Sequence, residues 1–306
     1  MSKKKILYVA GYGRSGSTLL CAVLGGMNAA VPVGELKIIF AHYVLNSSCS
    51  CGSGINDCEF WSSVISDFQK ENPGISLQEA AEISEKMETF TNWFSLRYRD
   101  SELERRYQTI WRSMIDIICH HSNCNIIIDA SKSSSIACNR VAVMSKFLDV
   151  EHIHLVRDPR AVMASTLAAQ KRRLERHGIK TTPFRGVRTL LSWSSTNAYI
   201  HLMSLLGLQR VRCRVSYDGL TNNPEDTLIE ISDSLSIDMG PAIEKQKNGE
   251  PFLANHIFSG DLQRMKGEYH IKAQQPKWRL QLTLLQRVTA WITYPLARMY
   301  GFLKVR

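Results

Sequence analysis

Residues 7–20 read LYVAGYGRSGSTLL, and the fold turns on how that stretch is parsed. An apolar run gives way to glycines and small hydroxyl residues, which then open a second apolar run. That order predicts a strand, a tight loop and the first turn of a helix. Such a loop presents unpaired backbone N–H groups at a helix N-terminus, where an anion, most often a phosphate, is favoured. Two general phosphate templates overlap here. Gly11, Gly13 and Gly16 spell the dinucleotide fingerprint GxGxxG, while residues 11–18 nearly spell GxxxxGK[ST], with Ser17 standing where the lysine belongs.

The rest of the chain narrows the choice. Its 306 residues suit one large α/β domain with insertions, or two small ones, and 44% hydrophobic residues argue against disorder. No apolar run has the roughly 18–20 residues of a membrane span. Lys3, Lys4 and Lys5 precede an apolar stretch too short for a signal peptide, so a basic start to a first strand and a cytoplasmic location are expected. The net charge of +10 favours anionic partners such as nucleotides, nucleic acid, acidic glycans or lipid head groups. Three of the eight cysteines, Cys49, Cys51 and Cys58, lie in CSCGSGINDC. A CxC plus a third cysteine suits zinc or a disulfide, but no fourth ligand stands at zinc-finger spacing, although His42 is near. We read the three as reduced thiols in a loop, and Cys21, Cys119, Cys124, Cys138 and Cys213 as mostly core.

Patterning along the chain predicts strands at 5–10, 30–33, 125–129, 151–156 and 210–217. Helices are predicted from Thr18, over 77–122 and 137–148, after Pro159, over 185–207, from Asn223, and over 279–303 with a break at Pro295. Asp158 before Pro159 makes a good helix cap. Residues 46–60 read as a polar cysteine-rich loop. Strands alternating with helices imply an α/β fold with a mostly parallel central sheet and helical insertions. The dinucleotide reading gains Glu35, 19 residues after Gly16, but Arg14 and Ser15 crowd its turn. The kinase reading lacks its lysine, and Asp129 is its one strand-end acid.

Arg14-Ser15-Gly16-Ser17-Thr18, IHLVRDPRAVMAS and RVSYDGLTNNPEDTL, in that order, resemble the sulfotransferases that use 3′-phosphoadenosine 5′-phosphosulfate (PAPS). The RSGST form, the cysteine-rich loop and NIIIDASKS look bacterial, nearer the carbohydrate and tyrosylprotein branches than the small-phenol branch. The resemblance covers nearly the whole chain, least in residues 65–120. It implies a P-loop-like three-layer fold. Arg14, Ser15, Gly16, Ser17 and Thr18 would hold the 5′-phosphosulfate, Arg157 and Ser165 the 3′-phosphate, and Tyr217 would lie by the nucleotide. HIFSGDLQRMKG resembles the late segment that closes over the nucleotide, so Arg264 and Lys266 are carried over, with Asp261 where bacterial members often have Asn and RMKG in place of RKG.

The resemblance also assigns roles. Glu35 stands at the distance from the loop where carbohydrate and tyrosylprotein members keep their general base; His42 and His256 are other candidates. Lys132 matches a lysine placed near the sulfate, and Arg14 serves the leaving group. The expected acceptor is a hydroxyl or amine on a glycan or small metabolite, with no nucleic acid partner and no metal. The basic run QKRRLERHGIK at 170–180 suits an acidic acceptor or a solvated helix face. The further arginine that the tyrosylprotein branch has 12 residues after its motif arginine is Ala169 here, with Lys171 close by. Trp291, Tyr294, Tyr300 and Phe302 leave peripheral membrane contact open, with core packing preferred. One domain over 1–306 is expected: a nucleotide-binding core at 5–40 and 124–235, an insertion at 46–122, and a closing segment at 250–306. A P-loop-like kinase and a non-catalytic nucleotide-binding module remain the alternatives.

Overall fold

The computed structural model describes residues 4–89, 101–132, 139–178, 184–273 and 278–302. Five parallel strands form the central sheet: β1 (Lys5–Ala10), β2 (Ala30–Gly34), β3 (Ile126–Asp129), β4 (Asp149–Val156) and β5 (Val211–Ser216), in the order β2-β3-β1-β4-β5. β1 is central, pairing Ile6 with Ile127 on one side and with Val150 on the other. A central parallel strand is buried on both faces, which is why KILYVA and IIID are apolar runs rather than alternations.

Each face carries its own core, because successive side chains point to opposite sides. Leu7, Val9, Ile128, Ile153 and Leu155 pack on α1 (Ser17–Leu24) and on apolar residues of the later helices. Ile6, Val31, Val33 and Ile127 pack instead on the insertion, around Trp61, Phe68 and Trp111. That insertion comprises α2 (Ile39–Val44), α3 (Glu59–Glu71), α4 (Leu77–Glu88) and α5 (Ser101–Ser122). Beyond it lie α6 (Arg140–Met144), α7 (Pro159–His177), α8 (Arg185–Leu205), α9 (Tyr217–Asn222), α10 (Pro224–Leu235) and α11 (Gly240–Lys247). A short antiparallel pair, Phe252–Leu253 with Glu268–Tyr269, brings the closing segment back beside α1.

The five expected strands are present to within about two residues, a normal boundary error. The helical reading over 77–122, carried by two amphipathic stretches, corresponds to α4 and α5, with residues 90–100 outside the described residues. Two differences have physical causes. Helix α3 is absent from the expected elements, yet Trp61, Val64, Ile65 and Phe68 fall at i, i+3, i+4 and i+7, and all four are buried. The tail is not one helix broken at Pro295 but pieces over Trp278–Gln281, Leu284–Thr289 and Tyr294–Met299, joined in part by a 3-10 turn. Thr283 and Gln286 form a capping box that starts the second piece afresh. No helix among the described residues is long and apolar enough to cross a membrane.

Candidate active site

The chain runs from β1 outward to β2 on one side of the sheet and from β4 to β5 on the other. The crevice at the C-terminal ends of β1 and β4 is therefore the switch point, where open parallel sheets bind ligands. The loop after β1 lies there. Gly11 has φ 136°, and a Cβ on it would stand 2.2 Å from the Leu155 carbonyl of β4. Gly16 has φ 93° and begins α1 with no side-chain cap, so the first N–H groups of the helix face the crevice without an internal acceptor. A Cβ on Gly16 would stand 2.2 Å from the Tyr217 ring.

Two distant motifs converge on this loop. The Arg157 guanidinium lies 4.0 Å from the centre of the Tyr217 ring, a cation–π contact. Arg157 Nη1 also donates to the Arg14 carbonyl at 3.0 Å. Arg14 Nε donates to Ser165 Oγ at 3.2 Å. The sequence reading pairs Ser165 with Arg157; Arg14 is the arginine that actually touches it. Ser165 is delivered by α7, capped by Asp158 and opened by Pro159 as expected. Among the described residues, Ser15 Oγ and Arg157 Nε are buried polar atoms with no hydrogen-bond partner. Buried polar atoms are normally paired, so these donors suit an anion.

Glu35 and Lys132 form the other half of the site. They follow the adjacent strands β2 and β3, and Lys132 Nζ lies 2.5 Å from Glu35 Oε1. Each side chain is largely but not fully buried, at 16% and 19% exposure, which leaves the pair reachable from solvent. Their backbones are held from beneath. The Glu35 N–H donates to Ser259 Oγ at 3.1 Å, and Tyr8 Oη donates to the Lys132 carbonyl at 2.5 Å. Asp129 accepts from the Leu36 N–H at 3.3 Å and the Ser131 N–H at 2.9 Å, and its other oxygen accepts from Arg140 Nε at 3.2 Å. Arg140 is fully buried, reaches Glu88 as well, and lies 3.9 Å from the centre of the Trp111 ring. Burial opposes its charge, but Glu88 and Asp129 outweigh that and raise its pKa. Asp129 is thus a brace for the two turns rather than a metal-binding strand-end acid. Lys37 lies close by, its ammonium pushed down by burial despite the opposing charge of Glu35.

The late segment contributes differently from expectation. Thr18 Oγ1 accepts from the Asp261 N–H at 3.2 Å, so the segment does lie over the loop. Arg264, however, is buried and turned away, donating to the carbonyls of Asp261, Ser48 and Phe258 at 3.2–3.3 Å, while Lys266 is exposed. His42 packs against Phe258 at 5.7 Å and burial lowers its pKa. His256 is committed elsewhere, with Nδ1 3.2 Å from Cys58 Sγ. Lys171 and Leu174 of the basic run line a cleft of about 520 Å³ with Phe184 and Leu285. In the tail, Tyr300 and Phe302 pack on Trp193, whereas Trp291 is 55% exposed and stacks on Tyr294. Sequence reasoning missed Ser259, Arg140 and Lys37. Ser259 and Arg140 act through partners 11 to 224 positions away, which no local pattern reports.

Residues 7–241 match the profile described as the Sulfotransferase family. Among solved structures, the chain is similar to the sulfotransferase domain from the olefin synthase of Synechococcus PCC 7002, at 19% identity and TM-score 0.55, covering 99% of this chain and 97% of that one. It is also similar to the sulfotransferase domain from the curacin biosynthetic pathway, at 18% identity and TM-score 0.48, covering 100% and 99%. No functionally curated protein matches it. The profile spans well over half of the chain and the first of these structures shares its fold, so the chain belongs to the sulfotransferase family and is a transferase of sulfuryl groups.

Proposed function

We propose that the chain moves a sulfuryl group from PAPS to a hydroxyl or amine of a small-molecule or glycan acceptor, with Glu35 as general base. The observation that carries this reading is the Glu35–Lys132 pair, set at the same sheet edge as the loop where Arg14, Arg157, Ser165 and Tyr217 meet. The unpaired Ser15 Oγ and Arg157 Nε and the uncapped start of α1 fit a donor with two anionic ends. Ser15, Gly16, Ser17, Thr18 and Arg14 would hold its 5′ end, and Arg157 with Ser165 its 3′-phosphate. Arg264 serves the cleft by fixing the closing segment. When bound, PAPS supplies an activated sulfuryl group with a phosphate leaving group.

This chain's residues supply position and charge. Glu35, as a carboxylate, takes the acceptor proton. Lys132 is a fixed cation beside it, placed to steady negative charge as it builds, and Arg14 does the same from the loop. Such fixed charges act strongly in a partly dry cleft, because they need no reorganisation as charge develops. The kinase alternative loses its strand-end acid, since Asp129 is spent on two backbone amides and Arg140.

The test is radiolabelled sulfuryl transfer from PAPS across a panel of phenols, alcohols, amines and oligosaccharides. The wild-type chain is expected to label at least one acceptor. Glu35→Gln is expected to lose roughly 10²–10⁴-fold in rate, the usual contribution of a general base. A Glu35→Gln chain that transfers at the wild-type rate would remove Glu35 from the role. Transfer of phosphate from ATP with magnesium, and none from PAPS, would replace the donor.

A further inference from the structure

The cysteine-rich loop holds a second constellation that sulfuryl transfer does not use. Cys49, Cys51 and Cys58 converge with His256, nearly two hundred residues further along the chain. Their four ligand atoms all lie within 4.8 Å of one another. Cys58 Sγ is 3.2 Å from His256 Nδ1. None of the three cysteines is in a disulfide. The missing fourth ligand is therefore His256, brought in by tertiary structure, and not His42, whose ring packs on Phe258.

We propose that Cys49, Cys51, Cys58 and His256 bind one zinc ion as a closed structural site. Three thiolates and one imidazole are a donor set that selects zinc, and bonds of about 2.0–2.3 Å in a tetrahedron put ligand atoms roughly 3.5–3.8 Å apart, inside the span from the 3.2 Å of Cys58 and His256 to the 4.8 Å that encloses all four. Binding releases three protons, one from each thiol, and leaves the site with one net negative charge. Arg264 is at hand to balance it, with Nη2 donating to the Ser48 carbonyl next to Cys49 at 3.3 Å.

The ligands are set in a stiff frame. Gly52, at φ 98°, turns the loop just after the CxC, and its N–H donates to the Cys49 carbonyl at 3.1 Å. Ser50, between the two cysteines, bonds the other strand of the site: its N–H donates to the Ile257 carbonyl at 3.0 Å, and its Oγ accepts from the Ile257 N–H at 2.9 Å. Cys58 caps α3, whose Trp61 donates from Nε1 to the His256 carbonyl at 2.6 Å. Phe60 stacks on the His256 ring at 5.1 Å. His256 itself adopts φ 56°, a left-handed backbone that is uncommon outside glycine, though histidine enters it more readily than most residues. Zinc here would staple the insertion to residues 254–259. That stretch ends at Ser259, which holds the Glu35 N–H. The site would thus secure one wall of the cleft without touching the substrate.

The experiment is metal analysis of the full chain, purified without chelator and with any affinity tag removed, from zinc-containing medium. About one zinc per chain is expected, released in step with thiol titration by a mercurial reagent. Cobalt added to the chelator-stripped chain is expected to give the visible absorption of a tetrahedral thiolate site. Cys51→Ser, at an exposed position, and His256→Ala each leave three ligands and are expected to weaken zinc binding at least about tenfold in competition with a chromogenic chelator. Cys213→Ser, a buried cysteine outside the cluster, is expected to keep it. A folded wild-type chain without zinc that also gives no cobalt spectrum would overturn the proposal. So would a disulfide between any two of the three cysteines found by mass spectrometry. The wild-type measurements decide the matter even if a variant fails to fold, and none of them depends on the identity of the sulfuryl donor.

Discussion

At the scale of single residues, the proposed site depends on one Cβ that is missing and one pair of charges that is present. Gly16 lacks a Cβ where the Tyr217 ring lies, and its φ of 93° disfavours any other residue. Gly16→Ala must move that ring off Arg157 and strain the backbone by roughly 1–2 kcal/mol. We expect it to weaken 3′-phosphoadenosine 5′-phosphate binding more than about tenfold, equivalent to 1.4 kcal/mol, and to lower the thermal midpoint by a few degrees; unaltered affinity by calorimetry would show that Tyr217 does not shape the cleft. Lys132→Met removes a fixed cation next to Glu35 and is expected to cost roughly 10²–10³-fold in kcat with donor affinity kept. A loss of affinity alone would make Lys132 a binding residue. At this scale the sequence was most legible where a residue works through its own backbone or charge. Arg14, Gly16, Ser17, Thr18 and Arg157 are readable from their motifs. Arg264 was not, because the same residue type in the same motif serves as well to satisfy buried carbonyls as to bind a ligand, and only the fold says which.

At the scale of elements, the turns after β2 and β3 are held in register by one buried charge cluster. Asp129 ends β3, Arg140 starts α6 and Glu88 ends α4, so three elements meet at a single guanidinium. Removing one partner from such a group leaves an uncompensated buried charge. Arg140→Met is therefore expected to destabilise the chain by roughly 3–5 kcal/mol, read by urea unfolding followed by circular dichroism. A change below about 1 kcal/mol would place the bracing of Glu35 and Lys132 elsewhere, since surface substitutions alone give that little. The elements themselves were mostly legible. A buried parallel strand needs an apolar run, and NIIID and IHLV could hardly serve otherwise. Helix α3 obeys the same periodicity rules, but a polar cysteine-rich loop leads into it and masks its start. The tail's breaks come from a capping box, a two-residue signal that a mean apolar character overrides.

At the scale of the whole molecule, two histidines in β4 link folding to pH. His152 and His154 are buried on the α8 side of the sheet, His152 against Tyr8 and His154 bonded to Asn197 at 2.8 Å. Burial, with the neighbouring His154, pushes His152 down to about 3; burial pushes His154 to about 4 despite the Asn197 bond. In the unfolded chain both regain an ordinary value near 6.5. The unfolded state therefore binds protons that the folded state refuses. Stability is at its full value above about pH 6.5 and falls with acidification toward 4 and 3, by at most about 1.4 kcal/mol per pH unit for each histidine. His152→Phe keeps the ring and removes the proton site, so the fall between pH 6.5 and 5 is expected to be shallower by about half of that combined slope. An unchanged slope would mean that His152 is not the group that titrates.

The sheet order, the switch point and the convergence of distant motifs on one loop appear only in the assembled molecule, and the donor site proposed above rests on them. The measurement that bears on this most directly is calorimetric titration with 3′-phosphoadenosine 5′-phosphate in metal-free buffer, with ATP and NADH as competitors, on the wild-type chain and on Arg157→Ala. Binding by the wild type that neither competitor displaces at equal concentration, weakened at least about a hundredfold in Arg157→Ala by loss of a bidentate-capable charge, is the expected result. Preference for ATP or NADH, or equal binding by the two chains, would contradict the assignment of the β1–β4 crevice to the sulfuryl donor.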